Sequence, residues 1–145
     1  MRKIAGSIGL GAALTMSCLV AAGSAASAEP AQPRSLYAPS ALVLTIGSGD
    51  DPATATVQRA VTLNCRPKAG GTHPAPTTAC AELYAVNGQF ADLPALNSEG
   101  RACTKDYRPI VVTAQGVWDG KRVEYAKTYG NACTMESLRS VVFSF

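Results

Sequence analysis

The sequence predicts an α+β domain that is mostly antiparallel sheet, and three observations carry that expectation. "RAVTLNC" at residues 59–65 alternates apolar and polar side chains with a period of two. Asp119-Gly120 sits between two β-prone runs, the signal of a two-residue hairpin turn. Helical spacing is confined to short segments, so the helices are few and small.

In chain order, "ALVLTIG" from Ala41 reads as a strand ended by Gly47, and "GSGDDPA" after it is turn material. In the next strand Val61, Leu63 and Cys65 share one face, with Thr62 and Asn64 on the other. "RPKAGGTHPAPTTAC" is a loop crowded with Gly and Pro. "TTACAELYAVNG" then places Cys80, Leu83 and Tyr84 at helical spacing, with a threonine as N-cap and Gly88 as the stop. "IVVT" reads as a short strand, and "GVWDGKRVEYAKTY" as the hairpin. "TMESL" reads as a short helix, and "VVFSF" as a strand that ends the chain.

The first 28 residues have the pattern of a secretory leader: Arg2 and Lys3, an apolar stretch from Ile4 to Ala22, and "ASA" at Ala26 to Ala28. The expected organisation is a signal peptide over 1–28, a loose proline-containing segment over 29–40 and one domain over 41–145. Removing Arg2 and Lys3 from the formal charge of +3 leaves +1. The rest of the chain has no run of Lys or Arg, which argues against nucleic acid and anionic membranes as partners. Of the five cysteines, Cys18 falls in the leader. Cys65, Cys80, Cys103 and Cys133 remain, an even set that reads as two disulfides in an oxidising compartment, with three connectivities open.

Catalytic and metal-binding groups are scarce. His73 is the only histidine and lies in a loop, and no serine stands in a G-x-S-x-G context. The cysteine spacings lack the short-range pairs of a zinc site, so neither a metal nor a cofactor is expected. Asp50 and Asp51 lie beside Gly49 and Pro52 and read as a solvated turn. Trp118, next to the hairpin turn, reads as a residue packed on the sheet. Nothing here supports an enzyme.

Several separated motifs resemble the Streptomyces subtilisin inhibitor family. They are "SLYAPSALVLTIG" at 35–47, "QRAVTLNC" at 58–65, "GTHPA" at 71–75, "ACAEL" at 79–83 and "GVWDGKRVEYAKTYGNAC" at 116–133. The resemblance implies a five-stranded antiparallel sheet with two short helices, disulfides Cys65–Cys80 and Cys103–Cys133, and a homodimer associating through the sheet. It implies secretion and inhibition of subtilisin-like and trypsin-like serine proteases. The reactive bond carries over by position to Lys105–Asp106, within a loop that includes Ala102, Cys103, Thr104 and Tyr107. A lysine at the bond suits the acidic specificity pocket of trypsin-like enzymes. The chain departs from the family prototype at Thr104, which replaces proline, at Asp106, where an apolar residue is familiar, and at Arg108, which replaces an acidic one. Arg101 and Arg108 are further basic candidates for the cleavage position. The alternative reading is a non-inhibitory binding module on the same scaffold.

Overall fold

Nine residues from Ser40 to Ser48 form β1, the central strand of the molecule. The computed structural model describes residues 38–96 and 102–145. The expected signal peptide, Cys18, Arg101 and most of the segment 29–40 therefore lie outside the described residues. On β1 the side chains of Leu42, Leu44 and Ile46 are buried, while Val43 on the opposite face is exposed, the alternation of a strand covered on one side. β2 spans Thr56–Arg66 and pairs antiparallel with β1, setting Leu42 opposite Leu63 and Leu44 opposite Val61. β4, Ile110–Trp118, pairs along the other edge of β1, with Leu44 opposite Ala114 and Ile46 opposite Val112. β5, Lys121–Tyr129, completes the hairpin with β4, and the two-residue β3, Gly70–Gly71, adds to β2. The order is β3-β2-β1-β4-β5, a five-stranded antiparallel sheet.

The hairpin turn forms where the sequence placed it. Asp119 and Gly120 both adopt positive φ, 47° and 75°, the left-handed pair that matches strand twist. Asp119 is further tied to β1, because its N–H donates to Ser40 Oγ at 2.9 Å. "IVVT" is thus only the start of a nine-residue strand.

Two short helices cover one face of the sheet and one end of the molecule. α1 runs Pro76–Ala85 and buries Ala79, Cys80 and Leu83. No threonine caps it: the helix starts one turn earlier than expected, with Ala75 as N-cap and proline in the first turn, where a missing N–H costs nothing. Gly88 closes it at φ +74°, its N–H donating to the Leu83 carbonyl at 2.8 Å. A Cβ at that position would stand 2.4 Å from Trp118 Cδ1, so only glycine lets the chain pass so close to the indole. α2 spans Ala132–Leu138.

The "VVFSF" terminus is not a strand. Val141–Phe143 forms a 3-10 turn, with Phe143 N–H donating to the Ser140 carbonyl and Ser144 N–H to that of Val141. Val142, Phe143 and Phe145 are all buried. Adjacent strand residues point to opposite faces, so the extended form would have turned Val142 or Phe143 to water. The tight turn delivers both to the core, where Phe143 meets Phe90 and Tyr125.

Candidate functional site

Between α1 and β4 the chain crosses the end of the sheet as Ala102 to Pro109, a segment with no helix or strand of its own. Thr104, Lys105 and Tyr107 are exposed, Tyr107 at 69%. Such a segment would be mobile if left to itself, but several contacts fix it. Cys103 is bonded to Cys133 in α2. Arg108 N–H donates to the Gly130 carbonyl at 2.9 Å, and the Pro109 carbonyl accepts from Gly49 N–H at 3.0 Å.

The central contact is Asn131, only 7% exposed. It is the N-cap of α2: its Oδ1 accepts from Thr134 N–H at 2.9 Å and from the Thr134 hydroxyl at 3.0 Å. That use of the oxygen turns the amide nitrogen toward the loop. Nδ2 donates to the Thr104 carbonyl at 2.8 Å and to the Asp106 carbonyl at 3.0 Å. The two carbonyls flanking Lys105 are thus held by one buried side chain. Lys105 itself has no hydrogen bond or ion pair among the described residues.

Asp106 braces the same stretch from its side chain. Its Oδ1 accepts from the Thr104 hydroxyl, and its Oδ2 accepts from Arg108 Nε and a terminal guanidinium nitrogen, both at 2.8 Å. The Thr104 hydrogen bond and then the Arg108 contact hold the Asp106 carboxyl below the ordinary carboxylate range. The carboxylate next to Lys105 is thus engaged by Thr104 and Arg108, not by the lysine. Asn131 was missed in the sequence. Its signal was an Asn two residues before a half-cystine at the start of a helix, which reads as a cap before it reads as a clamp.

The other candidates serve the fold. Cys65 is bonded to Cys80, joining β2 to α1, so the four cysteines among the described residues are all in disulfides. His73 is buried; its Nδ1 accepts from Ala75 N–H at 3.0 Å, so the proton sits on Nε2, which donates to the Val142 carbonyl at 3.2 Å. Asp51 shapes its own turn, its carboxylate accepting from Ala53 N–H and its carbonyl from Thr54 and Ala55 N–H. Trp118 is buried with its ring 5.0 Å from that of Tyr84.

This architecture has known counterparts. The family profile described as "Subtilisin inhibitor-like" matches residues 38–131. Kexstatin-1 of Streptomyces platensis is 53% identical with the whole of both chains covered. A subtilisin inhibitor of Streptomyces violaceus is 48% identical over 94% of this chain and 93% of its own. Among solved structures, Streptomyces caespitosus sermetstatin, in complex with Bacillus licheniformis subtilisin, superposes with a TM-score of 0.69 at 40% identity, covering 74% of this chain and 99% of that one. With most of the described domain inside the profile and relatives matched end to end, the chain belongs to the subtilisin inhibitor family.

Proposed function

We propose that this protein is a secreted, standard-mechanism inhibitor of serine proteases that offers Lys105–Asp106 as its reactive bond. Family membership and the subtilisin-bound relative support inhibition of subtilisin-like enzymes. The observation that carries the choice of bond is the Asn131 clamp, which holds the carbonyls on both sides of Lys105 while leaving the lysine side chain in solvent.

A serine protease takes its substrate as an extended strand and sets the scissile carbonyl between its nucleophile and its oxyanion hole. A loop already held in that form loses little ordering entropy on binding, so association is tight. Hydrolysis adds one water across the bond, leaving a Lys105 α-carboxylate and an Asp106 α-ammonium. The Cys103–Cys133 disulfide and Asn131 restrain the two ends, and the religation that follows competes with release. The Lys105 ammonium extends the target range to trypsin-like enzymes, whose specificity pocket supplies a carboxylate.

Export of the protein goes with removal of residues 1–28, and its two disulfides suit the oxidising space outside the cell. The protein is further proposed to be a homodimer that uses the uncovered sheet face around Val43, which is 47% exposed.

The test is a stoichiometric titration of the exported protein against subtilisin and, separately, trypsin, with mass spectrometry after long incubation. One enzyme bound per chain is expected, with slow cleavage only at Lys105–Asp106. Lys105→Ala should abolish trypsin inhibition and spare most inhibition of subtilisin. Rapid cleavage without lasting inhibition would make the loop a substrate, and trypsin inhibition surviving Lys105→Ala would move the bond to another basic residue.

A further inference from the structure

Asn131 grips the backbone of the loop; the side-chain contacts of Asp106 form a second support on the reactive bond itself. The Asp106 carboxylate receives the Thr104 hydroxyl on one oxygen and the Arg108 guanidinium on the other. Thr104 lies before the bond and Arg108 after it. When the bond is cut, the Thr104–Asp106 contact is therefore a direct side-chain link between the two new ends. Proline is the residue that stiffens a chain by fixing φ; Thr104 has no such constraint, and its hydroxyl provides a tie in its place.

We propose that Asp106 is a positioning residue that braces the reactive bond by tying Thr104 to Arg108 across it, so that the intact form is favoured over the cut form. This rests on Lys105–Asp106 being the reactive bond. The reasoning is entropic. In the intact loop the covalent bond already places the hydroxyl beside the carboxylate. In the cut loop the same contact must restrain two chain ends that would otherwise move apart. The contact thus favours the intact form, and removing it favours the cut one. Arg108 contributes by holding the carboxylate in place with paired N–H donors.

The experiment measures the equilibrium ratio of cut to intact inhibitor. Wild type, Thr104→Val, Asp106→Ala and the double variant are each incubated with a catalytic amount of subtilisin, starting from intact and from cut protein, until both directions give one ratio by mass spectrometry. Because subtilisin only catalyses the exchange, the ratio belongs to the inhibitor. Each single variant should raise it about fivefold. The double variant should raise it no further than Asp106→Ala, since both changes remove the same contact. Thr104→Ser, which loses the methyl but keeps the hydroxyl, should hold the ratio near the wild-type value, so that the effect of Thr104→Val belongs to the hydroxyl.

Unchanged ratios in the single variants, or effects that multiply in the double variant, would overturn the brace. Cleavage of the wild type at a different bond would instead overturn the reactive-bond assignment on which it rests. Near-ultraviolet circular dichroism of each variant checks that the fold is retained.

Discussion

Asn131 gives its oxygen to α2 and its nitrogen to the loop, so under the proposed reactive bond one carboxamide would serve both stability and inhibition. The two roles separate by substitution. Asn131→Asp keeps an oxygen for Thr134 N–H, and aspartate is as good an N-cap as asparagine. It removes both donors to the Thr104 and Asp106 carbonyls and sets a carboxylate against them. We expect Asn131→Asp to keep a melting temperature near that of the wild type while subtilisin cleaves it about tenfold faster, the equivalent of about 1.4 kcal/mol for the lost hydrogen bonding. Asn131→Ala should lose both roles, with about 1 kcal/mol of stability gone through the cap. Thermal unfolding and a timed cleavage assay read the two effects apart. If Asn131→Asp resists cleavage as the wild type does, the clamp has no part in inhibition. The sequence carried only half of this residue's meaning: a cap is a local pattern, whereas the clamp joins positions 25 and 27 residues apart and needs the Cys103–Cys133 link to bring them together.

At the level of elements, the strands and the hairpin were legible because their signals are local. Alternation at 59–65 and the Asp119-Gly120 turn both stand in the structure as read. The C-terminus was not, because "VVFSF" has strand composition but must bury adjacent residues, a demand set by the tertiary core. The helix start was displaced for a related reason: proline fits the first turn without a polar cap. What joins these two misread elements is His73, whose ring accepts from Ala75 ahead of α1, donates to Val142 of the terminal turn and lies edge-on to Phe145 at 5.7 Å. Burial lowers its pKa from the ordinary 6.5, against an opposing contribution from the Val142 hydrogen bond. Above pH 6.5 the ring is neutral in both folded and unfolded chains. Below it the unfolded chain takes up a proton that the folded chain takes up only at lower pH, so the unfolded state binds more protons and stability is lost as the pH is lowered through that window. Denaturant unfolding between pH 7.5 and 5 should show this decline. His73→Gln should be less stable at pH 7.5 and should lack the part of the slope that comes from His73; an unchanged slope would mean that other groups set the acid limit.

For the whole molecule, the sheet is covered on one side by α1, the 3-10 turns and the C-terminal aromatics, and this leaves the opposite face to be explained. Its centre carries no charge. Val43 stands opposite Thr62 on β2 and Gln115 on β4, and the next pair along, Thr45 and Thr113, joins hydroxyl to hydroxyl at 2.7 Å. On β5 the face carries charge, where Arg122 pairs with Glu124 at 2.7 Å. A two-fold dimer uses one patch twice, so residues near its axis meet their own copies. Valine and threonine tolerate that meeting; a carboxylate does not, because two like charges would be brought together with little water between them. The proposed reactive loop, Ala102 to Pro109, leads into β4 and is bonded to α2 through Cys103–Cys133, away from Val43, so each chain of such a dimer keeps its own loop for a protease. We therefore expect sedimentation equilibrium to give twice the chain mass for the wild type and the single chain mass for Val43→Asp, with both proteins still binding one subtilisin per chain. A wild type that sediments as a single chain would end the dimer proposal. A Val43→Asp protein that remains paired would move the contact to another surface.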